Sequence, residues 1–245
     1  MFASISATLF FAVGGALGSL GWRAPFWLYS SSLVFAVLTV RLVWQPTATR
    51  PGSHDSLPPI PWRTIAAPCL VTLFGGVVFY TPIVELPYVL DAAGVAAVTT
   101  IGAVTAIASA ATATGAFVFG RISRLGTHTL LPIALALAGT GLVVVGLAGS
   151  VPAIVIGAVV ASAGTGLMLP TLLVWAVSGL SYEQRGRGTG LWTAAVFIGE
   201  FICPLLVLAL VPATGGLGGA LVLIGSLTLA LAAGTRLRLP RPATA

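Results

Sequence analysis

The chain has 245 residues, 58% of them hydrophobic and 7% charged, with a mean hydropathy of +1.08. A soluble domain carries about a quarter charged residues, so this chain has too little polar surface to face water, and a lipid-facing helical exterior solves that problem. The net charge of +6 rests on arginine alone, and the arginines sit in short stretches between apolar runs instead of forming the basic stripe that a nucleic acid needs.

Residues 2–20 carry no charge and read as a first membrane helix. No basic stretch precedes them, which argues against a cleaved signal peptide. A turn at Gly21-Trp22-Arg23 leads to a second span over 24–43, ending at Arg41 and Trp44. Residues 45–63 are proline-rich and hold Arg50, His54, Asp55 and Arg63; this is the one linker. Further spans are expected at 64–84, 96–119, 129–149, 152–178, 189–211 and 216–235, giving eight in all. Pro68, Pro82, Pro170 and Pro204 fall within or near their ends, which membrane helices tolerate where neighbours satisfy the freed carbonyls. With the linker in the cytoplasm, ten arginines lie on that side and Arg23 alone on the other. This asymmetry places both termini in the cytoplasm and the chain in the plasma membrane as a multi-pass protein.

Gly14 with Gly18 and Gly215 with Gly219 have the spacing of close helix crossings, and residues 102–116 are almost all Ala, Thr, Gly and Ser. Such faces suit a tightly packed bundle. Trp22, Trp44, Trp175 and Trp192 lie near span ends and read as interfacial anchors. Cys69 and Cys203 sit in apolar runs without a CxxC partner and read as packing residues.

Glu200 is the one ionisable residue deep in an expected span, about 15 Å in at ~1.5 Å per residue. A carboxyl there has to be protonated, paired or in contact with water. It is therefore a candidate for a coupling proton, or else a neutral hydrogen-bonding group, and in either role it should face the bundle interior. Glu85 and Asp91 flank the outer end of the third span, as a solvated loop or as an outer gate. Tyr80 and Phe79 are candidates for a cavity wall or for packing. Gly186-Arg-Gly-Thr-Gly190 follows no strand and no Walker lysine exists, His54 and His128 are isolated, and no nucleophile has a base partner. Nothing in the sequence points to catalysis, a metal or a cofactor.

Several segments together resemble the major facilitator superfamily, in particular its bacterial drug and sugar efflux members. Residues 14–29, with the Gly21-Trp-Arg-Ala-Pro-Phe26 core, resemble the junction of that family's fifth and sixth helices. Phe119-Gly-Arg-Ile-Ser-Arg-Leu-Gly126 is similar to its loop between helices eight and nine, and Gly164-Thr-Gly-Leu-Met-Leu-Pro170 to its tenth helix. Arg185-Gly-Arg-Gly-Thr-Gly-Leu-Trp192, continuing to Gly199-Glu-Phe-Ile-Cys-Pro204, is similar to its eleventh.

The resemblance implies an all-α membrane bundle: two helices of an N-terminal half (1–44), a cytoplasmic linker (45–63), a six-helix C-terminal half (64–236) and a cytoplasmic tail (237–245). The family's first four helices have no counterpart here. Phe10-Phe11 also stand where its antiporter motif has Gly-Pro. Residues 64–149 and 152–236 are expected to form two inverted-type three-helix repeats. The implied function is secondary transport, with efflux of a drug-like or sugar-like solute and a proton as candidate coupling ion. The alternative is a truncated, non-transporting membrane protein or interaction partner. Glu200, Tyr80 and Glu85 are then the substrate or coupling candidates, and Arg121, Arg124, Arg185 and Arg187 the cytoplasmic gate-loop candidates. The partners are the lipid bilayer and a small-molecule substrate.

Overall fold

A computed structural model describes residues 2–43 and 58–238. The linker residues 44–57, with Trp44, Arg50, His54 and Asp55, and the tail residues 239–245, with Arg241, lie outside the described residues. Helix α1 runs Phe2–Gly18, a 3₁₀ segment Ala24–Ser30 leads into α2 at Ser31–Leu42, and six long helices follow: α3 Trp62–Ala92, α4 Val98–Ile122, α5 Thr127–Leu147, α6 Val151–Ser178, α7 Tyr182–Thr214 and α8 Leu217–Arg238. No strand occurs among the described residues. Seven segments, the one at Ala24–Leu42 and α3 to α8, are long and apolar enough to cross a bilayer. The leading helix α1 has 17 residues, or about 25 Å, which is the low end for a spanning helix.

Several helices outrun their expected spans. Helix α3 continues to Ala92 through Pro82 and Pro87, because a proline inside a packed helix removes one hydrogen bond without stopping the chain. Helix α7 starts at Tyr182, where Ser181 and Gln184 form a reciprocal cap. The turns follow glycine where the backbone demands it: Gly126 at φ 75° before α5, and Gly215 at φ 78° closing α7 in the left-handed region. Gly215 is therefore a turn residue and does not form a helix-crossing pair with Gly219.

Small residues set the bundle. A Cβ on Gly166 of α6 would lie 2.1 Å from the Thr112 carbonyl oxygen of α4, and one on Gly115 would lie 2.2 Å from that of Ala163. Gly141 of α5 abuts Ala161 of α6, Gly139 and Gly146 abut Gly225 and Gly218 of α8, and Gly76 of α3 abuts Gly199 of α7. Each of these faces lets two backbones approach where no larger side chain fits. Helix α5 is central, packed on both α6 and α8, and Leu131, Leu135, Leu142, Met168, Leu172 and Ile224 fill the core around it. Trp175 is partly buried and packs against this core.

Repeat symmetry shows in part of the packing. Helix α4 packs on α6 as α7 packs on α3, which is the exchange two three-helix repeats require. The close α5–α6 contact has only a slight α8–α3 counterpart.

The leading pair attaches on one side. Helix α1 lies on α4, with Gly15 against Gly102 and Gly18 against Val98, while Gly14 of the expected pair meets nothing. No residue of α2 is buried, and its main contact is with the 3₁₀ segment before it.

Candidate functional site

Ala7 and Phe11 of α1, Phe79, Pro82 and Ile83 of α3, Thr105, Ala108, Ser109 and Thr112 of α4, and Ser162 of α6 enclose a cavity of about 230 Å³. Its wall is apolar and aromatic on the α1 and α3 side and carries small hydroxyl residues on the α4 and α6 side, the mixture expected of a small-molecule site. The spacing of Thr105, Ser109 and Thr112 puts them on one helical face. The sequence showed this run as a small-residue packing face. The same run packs on α1 through Gly102 and on α6 through Gly115, and lines the cavity in between. The serines and threonines among the alanines were the available signal for a wall.

Tyr80 turns away from this cavity. With Phe197, Glu200, Phe201, Pro204 and Leu205 of α7 it lines an open groove of about 350 Å³ on the α3–α7 seam. Glu200 is half-buried there, flanked by Phe197 and Phe201, which are 61% and 72% exposed. The interior placement expected for Glu200 is thus met on its α3 side only; its other side opens outward. Along α3, Phe79, Tyr80, Ile83, Val84 and Pro87 form one half-exposed stripe that joins the cavity edge to the groove.

Glu85 is a correction. The sequence placed it beyond the end of a span, in a loop. It lies inside α3, only 7% exposed, beside a void of about 10 Å³ walled by Thr81, Leu86, Leu142, Val145, Ala158 and Leu221. The physical reason is the length of α3: with eight more residues of helix than expected, Glu85 falls under α5, α6 and α8. Asp91 in the last turn is exposed, as expected. One turn before Glu85, the Thr81 hydroxyl donates to the Val77 carbonyl at 2.7 Å and stands 3.5 Å from the Cys203 sulfur. Cys203 is close enough to Glu85 and Glu200 to interact electrostatically with both. The Thr72 hydroxyl of α3 and the Trp192 indole N–H of α7 are buried without a partner among the described residues, so the Trp192 N–H is not in water as an interfacial anchor's would be.

The four arginines proposed for gate loops lie at one end of the bundle, but only Arg124 is in a turn. Arg121 is in the last turn of α4 with its guanidinium 3.7 Å above the Phe117 ring. Arg185 and Arg187 belong to the first turns of α7, since the helix begins at Tyr182. Arg187 donates to the Pro58 carbonyl and Gln184 to that of Pro59, at 2.6 Å in the second case. These bonds tie the chain entering α3 to the start of α7, so Arg63, Arg121, Arg124, Arg185, Arg187 and Arg236 gather at the same end.

No curated protein matches the chain. The family model described as Major Facilitator Superfamily matches residues 69–245. That range spans most of α3, all of α4 to α8, and therefore the cavity wall on three of its four helices, the α3–α7 groove and the buried Glu85. The Gly21-Trp-Arg stretch and α1 fall outside it. This multi-pass helical bundle, matched by the model over more than half its length, belongs to the Major Facilitator Superfamily, whose members are secondary transporters of small solutes.

Proposed function

We propose that the chain exports a drug-like or sugar-like solute, using the cavity between α1, α3, α4 and α6 as its binding site and a proton as coupling ion. The cavity carries this reading: its aromatic wall suits a flat or lipophilic solute, and its hydroxyls suit hydrogen-bonded orientation. Tyr80 and Glu200 on the adjoining groove are the proposed solute and proton contacts, since a half-buried carboxyl within a span is a default functional candidate. The arginine-bearing end is proposed as cytoplasmic by the positive-inside rule, in the plasma membrane, with both termini on that side. The proposed division is a leading pair (1–44), a linker (45–63), a six-helix half (64–236) and a tail (237–245). Arg121, Arg124, Arg185 and Arg187 are the proposed cytoplasmic gate groups.

Everted membrane vesicles test this reading, with ethidium as the lipophilic probe and radiolabelled lactose as the sugar probe. An imposed pH gradient is expected to drive accumulation of one probe, and Ser162→Trp, which fills the cavity, to abolish it. Glu200→Gln is expected to leave downhill equilibration while removing gradient-driven accumulation, because the amide keeps the shape and loses the titration. Movement of neither probe, or full accumulation in Ser162→Trp, would reject the cavity as the site.

A further inference from the structure

Glu85 lines neither the cavity nor the groove, yet it is the most buried charged-type side chain among the described residues. It makes no hydrogen bond to another described residue. Thr81, one turn back on the same helix, lines the same void as Glu85. The void beside it has room for about one water molecule.

The surroundings decide what such a group can hold. Helix α5 presents Leu142 and Val145, α6 presents Ala158, and α8 presents Leu221. None of these titrates or carries charge. From α7 the facing groups are the Cys203 thiol and, farther out, the Glu200 carboxyl. Among the described residues no arginine lines this void, since the arginines lie in turns or in the first and last turns of helices, and the chain has no lysine. An ionised carboxylate without a cation in so dry a place is strongly disfavoured. A sodium or larger metal ion asks for more oxygen ligands than Glu85 and Thr81 supply in a void of this size. A proton needs only the carboxyl itself, with a hydroxyl or a freed carbonyl as acceptor. Pro82 and Pro87 free the carbonyls of Val78 and Ile83 on the same helix.

We propose that Glu85 is a proton-binding site inside the six-helix bundle whose occupancy controls the α3–α7 seam. The packed arrangement seen here holds the neutral acid. Loss of the proton leaves a carboxylate that has to reach water, and the route to water runs along the seam past Cys203 to the groove at Glu200. The O–H bond of Glu85 breaks, the proton leaves with a water molecule in the groove, and α3 and α7 separate to hydrate the charge. This extends the transporter reading to a second titrating group, distinct from Glu200.

Cys203 is a built-in reporter, being fully buried on that seam. With the other thiol removed by Cys69→Ala, N-ethylmaleimide labelling of the protein in nanodiscs is followed from about pH 5.5 to about pH 9. Rates are divided by those of the same protein carrying Glu85→Gln, which removes the pH dependence the two proteins share; repulsion between the Glu85 carboxylate and the neighbouring thiolate acts against a rise in this ratio. The ratio is expected to rise about tenfold with pH, to do so again in Glu200→Gln, and to keep its rise with a moved midpoint in Glu85→Asp. The aspartate variant also carries the test if glutamine at 85 does not fold, with a pH titration of the protonated-carboxyl infrared band as its readout. A flat ratio, or a rise that vanishes in Glu200→Gln instead, overturns the proposal. No solute is involved, so a flat ratio leaves the transport reading standing, and a failure of transport leaves the titration standing.

Discussion

The leading pair and the six-helix bundle are both apolar, yet they hold together very differently. Ten of the 21 residues of α5 and 13 of the 28 of α6 are buried, whereas nothing in the Ala24–Leu42 segment is. Helix α1 stands between these extremes, fixed to α4 by one narrow stripe of Ala7, Thr8, Phe11, Gly15 and Gly18. Apolarity explains why all these segments enter a bilayer. It does not explain which of them pack, because lipid is as apolar as leucine. The difference lies in small residues: α5 and α6 meet their neighbours through Gly139, Gly141, Gly146, Gly157, Gly164 and Gly166, α1 through Gly15 and Gly18, and α2 has no glycine.

This comparison can be broken by substitution. The largest effect is expected for Gly166→Leu, which drives a side chain into the Thr112 backbone of α4. Overpacking of this kind costs about 3 kcal/mol or more, read as loss of the monodisperse peak and a lower thermal midpoint in detergent. Gly15→Val attacks the leading pair instead. A Cβ there would lie 2.8 Å from the Gly102 Cα, so α1 is expected to lift from α4 at a cost of about 1–2 kcal/mol, leaving the six-helix bundle folded. Disulfide trapping between cysteines placed at 18 and 98 reads the separation, and Gly14→Ala, with open space beside it, should leave the trapping unchanged. The smallest effect is expected for Thr72→Val. It removes a buried hydroxyl that has no partner among the described residues, so the fold should gain up to about 1 kcal/mol of stability, seen as a slightly raised thermal midpoint.

The sequence carried the membrane bundle and its helix order plainly. Uncharged runs of about 20 residues mark the spans, and arginines at one set of helix ends fix their alternation. Helix ends were less legible, because α3 and α7, with 31 and 33 residues, are longer than a bilayer requires. That excess moved Arg185 and Arg187 from a loop onto a helix and Glu85 from a loop into the core. Glu85 could not have been placed from local pattern: its cover comes from Leu142, Ala158 and Leu221, which lie 57, 73 and 136 residues away along the chain. Glu200 was found by its depth alone. Its position on an open groove depends on which faces of α3 and α7 touch, and the Gly76–Gly199 contact that decides this gives no sequence spacing to read.

We propose that the cavity between α1, α3, α4 and α6 opens alternately to the two sides of the membrane, as secondary transport requires. Ser109→Cys places a thiol on its wall in a protein whose own thiols are removed by Cys69→Ala and Cys203→Ala. A membrane-impermeant maleimide is then applied to right-side-out and to inverted vesicles in separate reactions. Labelling is expected from both sides. Labelling from one side only, or from neither, would contradict it.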